Sequence, residues 1–343
     1  MKFDFVIGNP PYQERNDTNG RQSPVYHLFM DSAFKIADRV ELITPARFLF
    51  EAGQTPKEWN KKILNDPHFK VMMYEPRSDM VFKNTMIMGG VAITYRSKND
   101  NFGAIGTYSP FVELNGIIKK VAKHATQSML SRVSSQGVYK LTNKFFNDFP
   151  QANEISGDGT GLKFTSSVFE KVQEAFSKEK DAGMMGVYGR FKGQRCVRYV
   201  KSDYIQSNQY ALKYNILVPE GNGAPILGSG MATTVIGYPI VADPGYIFTD
   251  TFLSVGQTGN EDEAESIRKY VCTKFVRALV GARKVTQHNP KSTWSCVPLE
   301  DFSNSSDINW AGSISDIDKQ LFKKYNLSDD EIRFIETNVK ELL

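Results

Sequence analysis

The sequence predicts an α/β domain followed by a mixed α+β region, and three observations predict it. Over about the first hundred residues, short apolar runs alternate with helix-patterned segments. Beyond that point turn-forming residues accumulate and the apolar runs shorten. A long basic amphipathic segment and two short capped helices then close the chain. Strand and helix in alternation is the pattern of a parallel, doubly wound sheet. A length of 343 residues suggests two domains, or one with a substantial appendage. The boundaries are expected at 1–104, 105–312 and 313–343.

The elements follow in order. Phe3 to Ile7 is a short apolar strand that runs into Asn9-Pro10-Pro11-Tyr12. Tyr26 to Ala37 sets Tyr26, Phe29, Met30, Ala33, Phe34 and Ala37 at helical spacing. Val40 to Thr44 is a second strand closed by Pro45, and a helix is expected over Pro56 to Leu64. Val71 to Tyr74 and Gly90 to Tyr95 read as further strands, linked through Val81-Phe82-Lys83. Later, the runs 157–161 (GDGTG), 219–223 (PEGNG) and 243–245 (DPG) mark turns. Ile216 to Val218, Thr234 to Ile236 and Tyr246 to Phe248 read as strands between them. Glu263 to Val280 is the clearest helix of this half, with Gly281 just past its end. Ser315 and Ser328 are the expected N-caps of the closing helices, with Asp318 and Glu331 in capping-box positions.

Composition is that of an ordinary globular protein, with 41% hydrophobic and 23% charged residues. No apolar run approaches the ~20 residues that span a bilayer, and the N-terminus lacks a signal-peptide pattern. Cys196, Cys272 and Cys296 fit no disulfide or metal spacing, so no metal site is expected and the cytosol is the natural location. A net charge of +4 says little, but its distribution says more. Three stretches carry bases and no acids: Leu114 to Asn147, Ala182 to Ser202 and Ser266 to Thr293. From Glu300 onward, ten acids face five bases. Acid-free basic stretches are what a surface that tracks phosphates needs. Arg190, Lys192 and Arg195 of the second stretch are therefore candidate DNA contacts. In the third, Arg283, Lys284 and Lys291 mix with the amides of Gln287 and Asn289, which have the chemistry to read base edges.

The turn at residues 9–12 carries the sharpest chemistry. The exocyclic amine of adenine is a poor nucleophile because its lone pair is delocalised into the ring. An amide oxygen from Asn9 and the main-chain carbonyl of Pro10, both accepting from that amine, would localise the lone pair. Consecutive prolines fix φ and hold the carbonyl in place, and preorganised acceptors are where catalytic electrostatics gains most. Tyr12 offers a ring to a base taken out of the duplex stack. An Asn/Asp/Ser-Pro-Pro-aromatic run arises by chance in about one chain in a hundred of this length. Here an apolar strand delivers it, at the end where open α/β sheets bind ligands.

FDFVIGNPPY, YHLFMDSAFKIADR, VELITPARFL and EPRSDMVFKNTMIMGGVAITYR resemble successive motifs of gamma-class adenine-specific DNA methyltransferases of restriction-modification systems. The resemblance implies a partial Rossmann-like methyltransferase sheet and a catalytic role for Asn9, Pro10, Pro11 and Tyr12. It also implies a second aromatic against the target base, for which Phe82 is the candidate, although Lys83 stands where the family usually has Pro. GYIFTDTFLSVG, EAESIRKYVCTKFVRALVGARK and WSCVPLEDF are similar to target-recognition domains of such enzymes, which assigns 105–312 to that role and 313–343 to a helical tail.

The family uses S-adenosylmethionine, bound by a glycine-rich strand-turn-helix upstream of the catalytic turn. Eight residues precede Asn9 here, and neither Gly228-Ser229-Gly230 nor the 157–161 run makes a convincing substitute. The cofactor site is therefore expected to be incomplete in this chain. Double-stranded DNA is the expected substrate, with a separate chain carrying the cofactor motif, or self-association through an exposed sheet edge. The alternative is a DNA-binding specificity module without catalysis. A nuclease ranks last, since no carboxylate cluster with a lysine stands out.

Overall fold

The computed structural model describes residues 3–15, 22–51, 54–83, 85–155, 162–224, 227, 231–284 and 287–342. The expected turn at 157–161 and Gly228-Ser229-Gly230 lie outside the described residues. The chain divides into two compact units, Met1–Asn115 and Gly116–Leu343.

In the first unit, β1 (Phe3–Gly8) leads through Asn9–Tyr12 into a small antiparallel pair, β2 (Gln13–Arg15) and β3 (Gln22–Pro24). The helix α1 (Tyr26–Ile36) follows, and β4 (Ala37–Pro45) returns parallel to β1, with Val6 opposite Val40 and Gly8 opposite Leu42. A 3-10 turn at Ala46–Phe50, α2 (Lys57–Leu64), β5 (Phe69–Glu75) and β6 (Val91–Ser97) complete it. Tyr26, Met30 and Ala33 of α1 are buried at helical spacing against Val40 and Leu42. Phe48, Trp59 and Phe69 fill the same core.

The sheet order is β1-β4-β6-β5, and β6 runs antiparallel to both its neighbours. The sheet is thus mixed, not parallel throughout as the alternation predicts. The reason lies between β5 and β6, where the described residues of 76–90 hold a single 3-10 turn at Ser78–Met80. A parallel neighbour needs a crossover, usually helical, whereas an antiparallel one needs only a loop. Gly90 closes that loop at φ 75°, where any Cβ would run into the Glu75 carbonyl.

β1 is one edge strand of the sheet and β5 the other, and the alternate side chains of β1 are bare: Phe3 is 44%, Phe5 41% and Ile7 74% exposed. Leu28, Phe29 and Ile36 of α1 are exposed as well.

α3 (Val112–His124) contains the division between the units. Three short helices follow, α4 (Asn143–Asp148), α5 (Ala152–Ile155) and α6 (Ser166–Lys171). The hairpin β7 (Met184–Phe191) and β8 (Gln194–Lys201) turns on Lys192 and Gly193, both at positive φ. Then come β9 (Tyr214–Pro219), β10 (Ile240–Ala242), β11 (Tyr246–Phe248) and β12 (Phe252–Thr258). They form two small sheets, β10-β9-β12 and β11-β7-β8. Phe145, Phe164, Phe169, Phe176, Val187 and Phe248 belong to the core beneath.

The basic amphipathic segment forms two helices, α7 (Glu261–Cys272) and α8 (Lys274–Arg283), rather than one over 263–280. Thr273 breaks it: its hydroxyl donates to the Tyr270 carbonyl and accepts from Val276 N, capping α8. Gly281 lies inside α8, where the Leu227 side chain packs against the space a Cβ would need. The closing helices are α9 (Ile314–Lys324) and α10 (Asp329–Asn338). Ser328 and Glu331 form the expected capping box, but α9 is capped by Ser313, not Ser315. Residues 313–318 read S-I-S-D-I-D, so the capping spacing occurs twice and cannot choose by itself. Asp318 instead accepts from Lys274 N and Phe275 N, tying α9 to the start of α8. Thr234 to Ile236 is no strand either: Val235 sits at φ 65° and its N–H donates to Thr233 Oγ1.

Candidate functional site

The Asn9–Tyr12 turn lies at the carboxyl end of β1. Its prolines stop the strand, because neither can donate to a ladder. Asn9 and Pro11 are exposed, Pro10 and Tyr12 half-buried. The Tyr12 carbonyl accepts from Val25 N at 3.1 Å, which fastens the turn to the entrance of α1. The Tyr12 ring packs against the core of the first unit and meets Phe82 edge to face, with centroids 6.5 Å apart at 66°. Its hydroxyl is enclosed without a hydrogen-bond partner among the described residues, and burial pushes its pKa up to about 12. Two aromatics far apart in sequence are therefore neighbours beside Asn9 and Pro10.

Phe82 owes its position to its loop. Its N–H donates to the Ser78 carbonyl at 2.8 Å. The buried Ser78 hydroxyl donates to the Thr85 carbonyl and accepts from Ile87 N. Arg47 Nε donates to the Met88 carbonyl at 2.6 Å from the other side. Neither Ser78 nor Arg47 stands out in the sequence. A lone serine in a loop carries no pattern, and its partners are main-chain atoms. On the other side of the turn a shallow depression of about 450 Å³ is lined by Pro11, Val25, Leu28 and Phe29 among others.

In the second unit, residues from separate stretches converge. Arg190, Arg195 and Gln287, all expected to contact DNA, line one cleft of about 570 Å³ together with Gln136, Glu220, Asn222, Asp250 and His288. Lys192 is exposed at the hairpin turn, and its main-chain N–H donates to Glu170 Oε1. Arg283 and Lys291 are half-buried.

Lys284 and Asn289 are placed inside. Lys284 is 2% exposed, and its Nζ donates to Asn222 Oδ1 at 2.8 Å and to the Val235 carbonyl at 2.5 Å. Burial brings its pKa down to about 8. Asn289 is 1% exposed, with its N–H on the Glu220 carbonyl and its Oδ1 accepting from Thr293. Both hold the 219–223 loop that walls the cleft, so as placed they support the surface and do not form it. A bulky polar residue after an amphipathic helix reads as solvated, since sequence alone does not show an incoming loop with free carbonyls.

Much of the third basic stretch is likewise spent internally. Arg277 is 1% exposed and donates to the carbonyls of Cys272, Thr273, Thr234 and Lys340. Lys269 reaches the Trp310 carbonyl, Arg268 pairs with Glu265 and Lys274 with Glu336. Among the described residues no helix is long and apolar enough to cross a membrane.

With this geometry in view, comparison with known proteins finds a likeness over the first quarter of the chain. Residues 1–82 match the family described as Eco57I restriction-modification methylase. The match takes in β1, the Asn9–Tyr12 turn, α1, β4 and β5, and it ends at Phe82. It supports a DNA methyltransferase of a restriction-modification system. No curated protein matches the chain.

Proposed function

We propose that this protein methylates the exocyclic amine of adenine in double-stranded DNA, using S-adenosylmethionine, as part of a restriction-modification system. The carrying observation is the exposed Asn9 and half-exposed Pro10 at the end of β1, with Tyr12 and Phe82 in contact beside them. The Asn9 amide oxygen and the Pro10 carbonyl accept from the two amine hydrogens and draw that nitrogen towards tetrahedral geometry. Tyr12 takes one face of the flipped base, and Phe82 stands at its edge. The paired prolines keep the acceptors from relaxing away, so no reorganisation is needed as charge develops.

When bound, S-adenosylmethionine supplies the electrophilic methyl group. No residue of this chain is assigned to hold it. The bare face of β1 supports a sheet-completing segment that lies alongside and brings the cofactor up to Asn9. The second unit is read as the target-recognition part, with Arg190, Lys192, Arg195 and Gln287 towards DNA.

Transfer of a labelled methyl group to duplex DNA, with and without the neighbouring gene product, tests the reading. Asn9→Ala is expected to abolish transfer and leave duplex binding intact. Duplex binding with no transfer under any condition leaves a specificity module in its place.

A further inference from the structure

Arg190 and Arg195 stand directly opposite each other on β7 and β8, in a register fixed by the tight Lys192-Gly193 turn. Like charges in cross-strand positions destabilise a hairpin. Ordinarily a carboxylate would intervene, yet among the described residues neither guanidinium has an ion-pair partner. The two acids of the cleft are engaged elsewhere: Glu220 Oε2 lies 2.9 Å from His288 Nδ1, and Asp250 Oδ1 accepts from Ser166 N. The guanidinia are also held in place. Arg190 Nε donates to the Gly193 carbonyl at 2.8 Å, and its terminal nitrogens have no hydrogen-bond partner among the described residues. Arg195 lies over the Phe252 ring at 5.8 Å, and Gly237 makes room for it, since a Cβ there would sit 3.0 Å from Nη2. Arg195 is held below its usual pKa by burial and by Arg190 beside it.

We infer that Arg190 and Arg195 form a two-armed clamp for a single phosphate group, in the cleft where the Gln136 amide donates to the Asp250 carbonyl. A dianion or phosphodiester between the two forks accepts from both and removes the repulsion that the empty hairpin carries. The inference rests on the reading of the chain as DNA-acting for the source of that phosphate, but the clamp is defined by its own chemistry.

The test uses the full-length protein with a duplex oligonucleotide in one arm and inorganic phosphate in the other, comparing wild type with Arg190→Gln, Arg195→Gln and the double variant. Each single variant is expected to weaken duplex binding about tenfold and to lower the salt slope by about 1. Each is also expected to raise Tm by roughly 1 °C, because the repulsion goes. Gly237→Ala, whose Cβ would press on both the Pro219 ring and the Arg195 fork, is expected to weaken binding without altering charge. Phosphate binding that is lost in the variants, with no duplex binding by wild type, supports the clamp and removes the DNA reading. Duplex affinity and salt slope unchanged in the double variant overturn the clamp and leave the methyltransferase reading standing. So does a fall in Tm on neutralising either arginine with binding unchanged.

Discussion

Tyr12 lies edge to face with Phe82, and its hydroxyl is buried with no partner among the described residues. An enclosed hydroxyl without a partner costs stability, so the ring is kept here for a reason other than its polar group. Tyr12→Phe is therefore expected to stabilise the first unit by about 1 kcal/mol while methyl transfer stays within a few-fold. Tyr12→Ala removes the stacking face and is expected to lower transfer on the order of 100-fold. Thermal unfolding and initial rates on the same preparations check both. Lost transfer in Tyr12→Phe would assign the hydroxyl a role that its surroundings do not suggest.

The edge of β1 presents Phe3, Phe5 and Ile7 together on one face. Ile7→Lys places a charge on the most exposed of them, the device by which natural edges resist pairing. Sedimentation of the variant is expected to show association shifted to on the order of tenfold higher concentration. Unchanged association would place the contact elsewhere on the molecule.

Lys284 gives a pH signature. Its folded-state pKa is about 8, against an ordinary 10.5, so the unfolded chain binds more protons between those values. Stability must then rise with pH across that window, since the penalty of burying the ammonium is relieved there. Lys284→Met is expected to remove this slope, seen as a Tm difference between the two proteins that changes between about pH 8 and pH 10.5. Parallel curves would mean that the ammonium is better compensated than its buried position implies.

Arg277 separates structural cations from those proposed to face DNA. Its guanidinium joins the break between α7 and α8 to the carbonyls of Thr234 and Lys340. Arg277→Met leaves those acceptors buried and is expected to cost roughly 3 kcal/mol. The affinity of the folded fraction for duplex DNA should stay the same. Denaturant titration and binding at low temperature distinguish the two effects.

The residues that were legible are those whose chemistry is local. Asn9-Pro10-Pro11-Tyr12 carries its acceptors and its rigidity within four positions, and the helix over 26–36 shows its buried face in its spacing. What sequence hid depends on partners distant along the chain. Thr273 interrupts an unbroken amphipathic pattern because its own hydroxyl and Asp318 satisfy the first N–H groups of α8. Lys284 and Arg277 read as solvated bases until the loops supplying their acceptors arrive. The opposition of Arg190 and Arg195 follows from the Lys192-Gly193 turn, a signal present in the sequence but obscured by reading that stretch for charge alone. The antiparallel β6 follows from a loop without a crossover helix, which the alternation of apolar runs does not reveal.

The central claim is that the turn at Asn9 acts on the amine of adenine, and nucleoside analysis of duplex DNA after incubation with S-adenosylmethionine tests it most directly. N6-methyladenine is the expected product, made by the wild-type protein, alone or with the neighbouring gene product, and absent with Asn9→Ala. Methylated cytosine, or N6-methyladenine formed undiminished by Asn9→Ala, would contradict it.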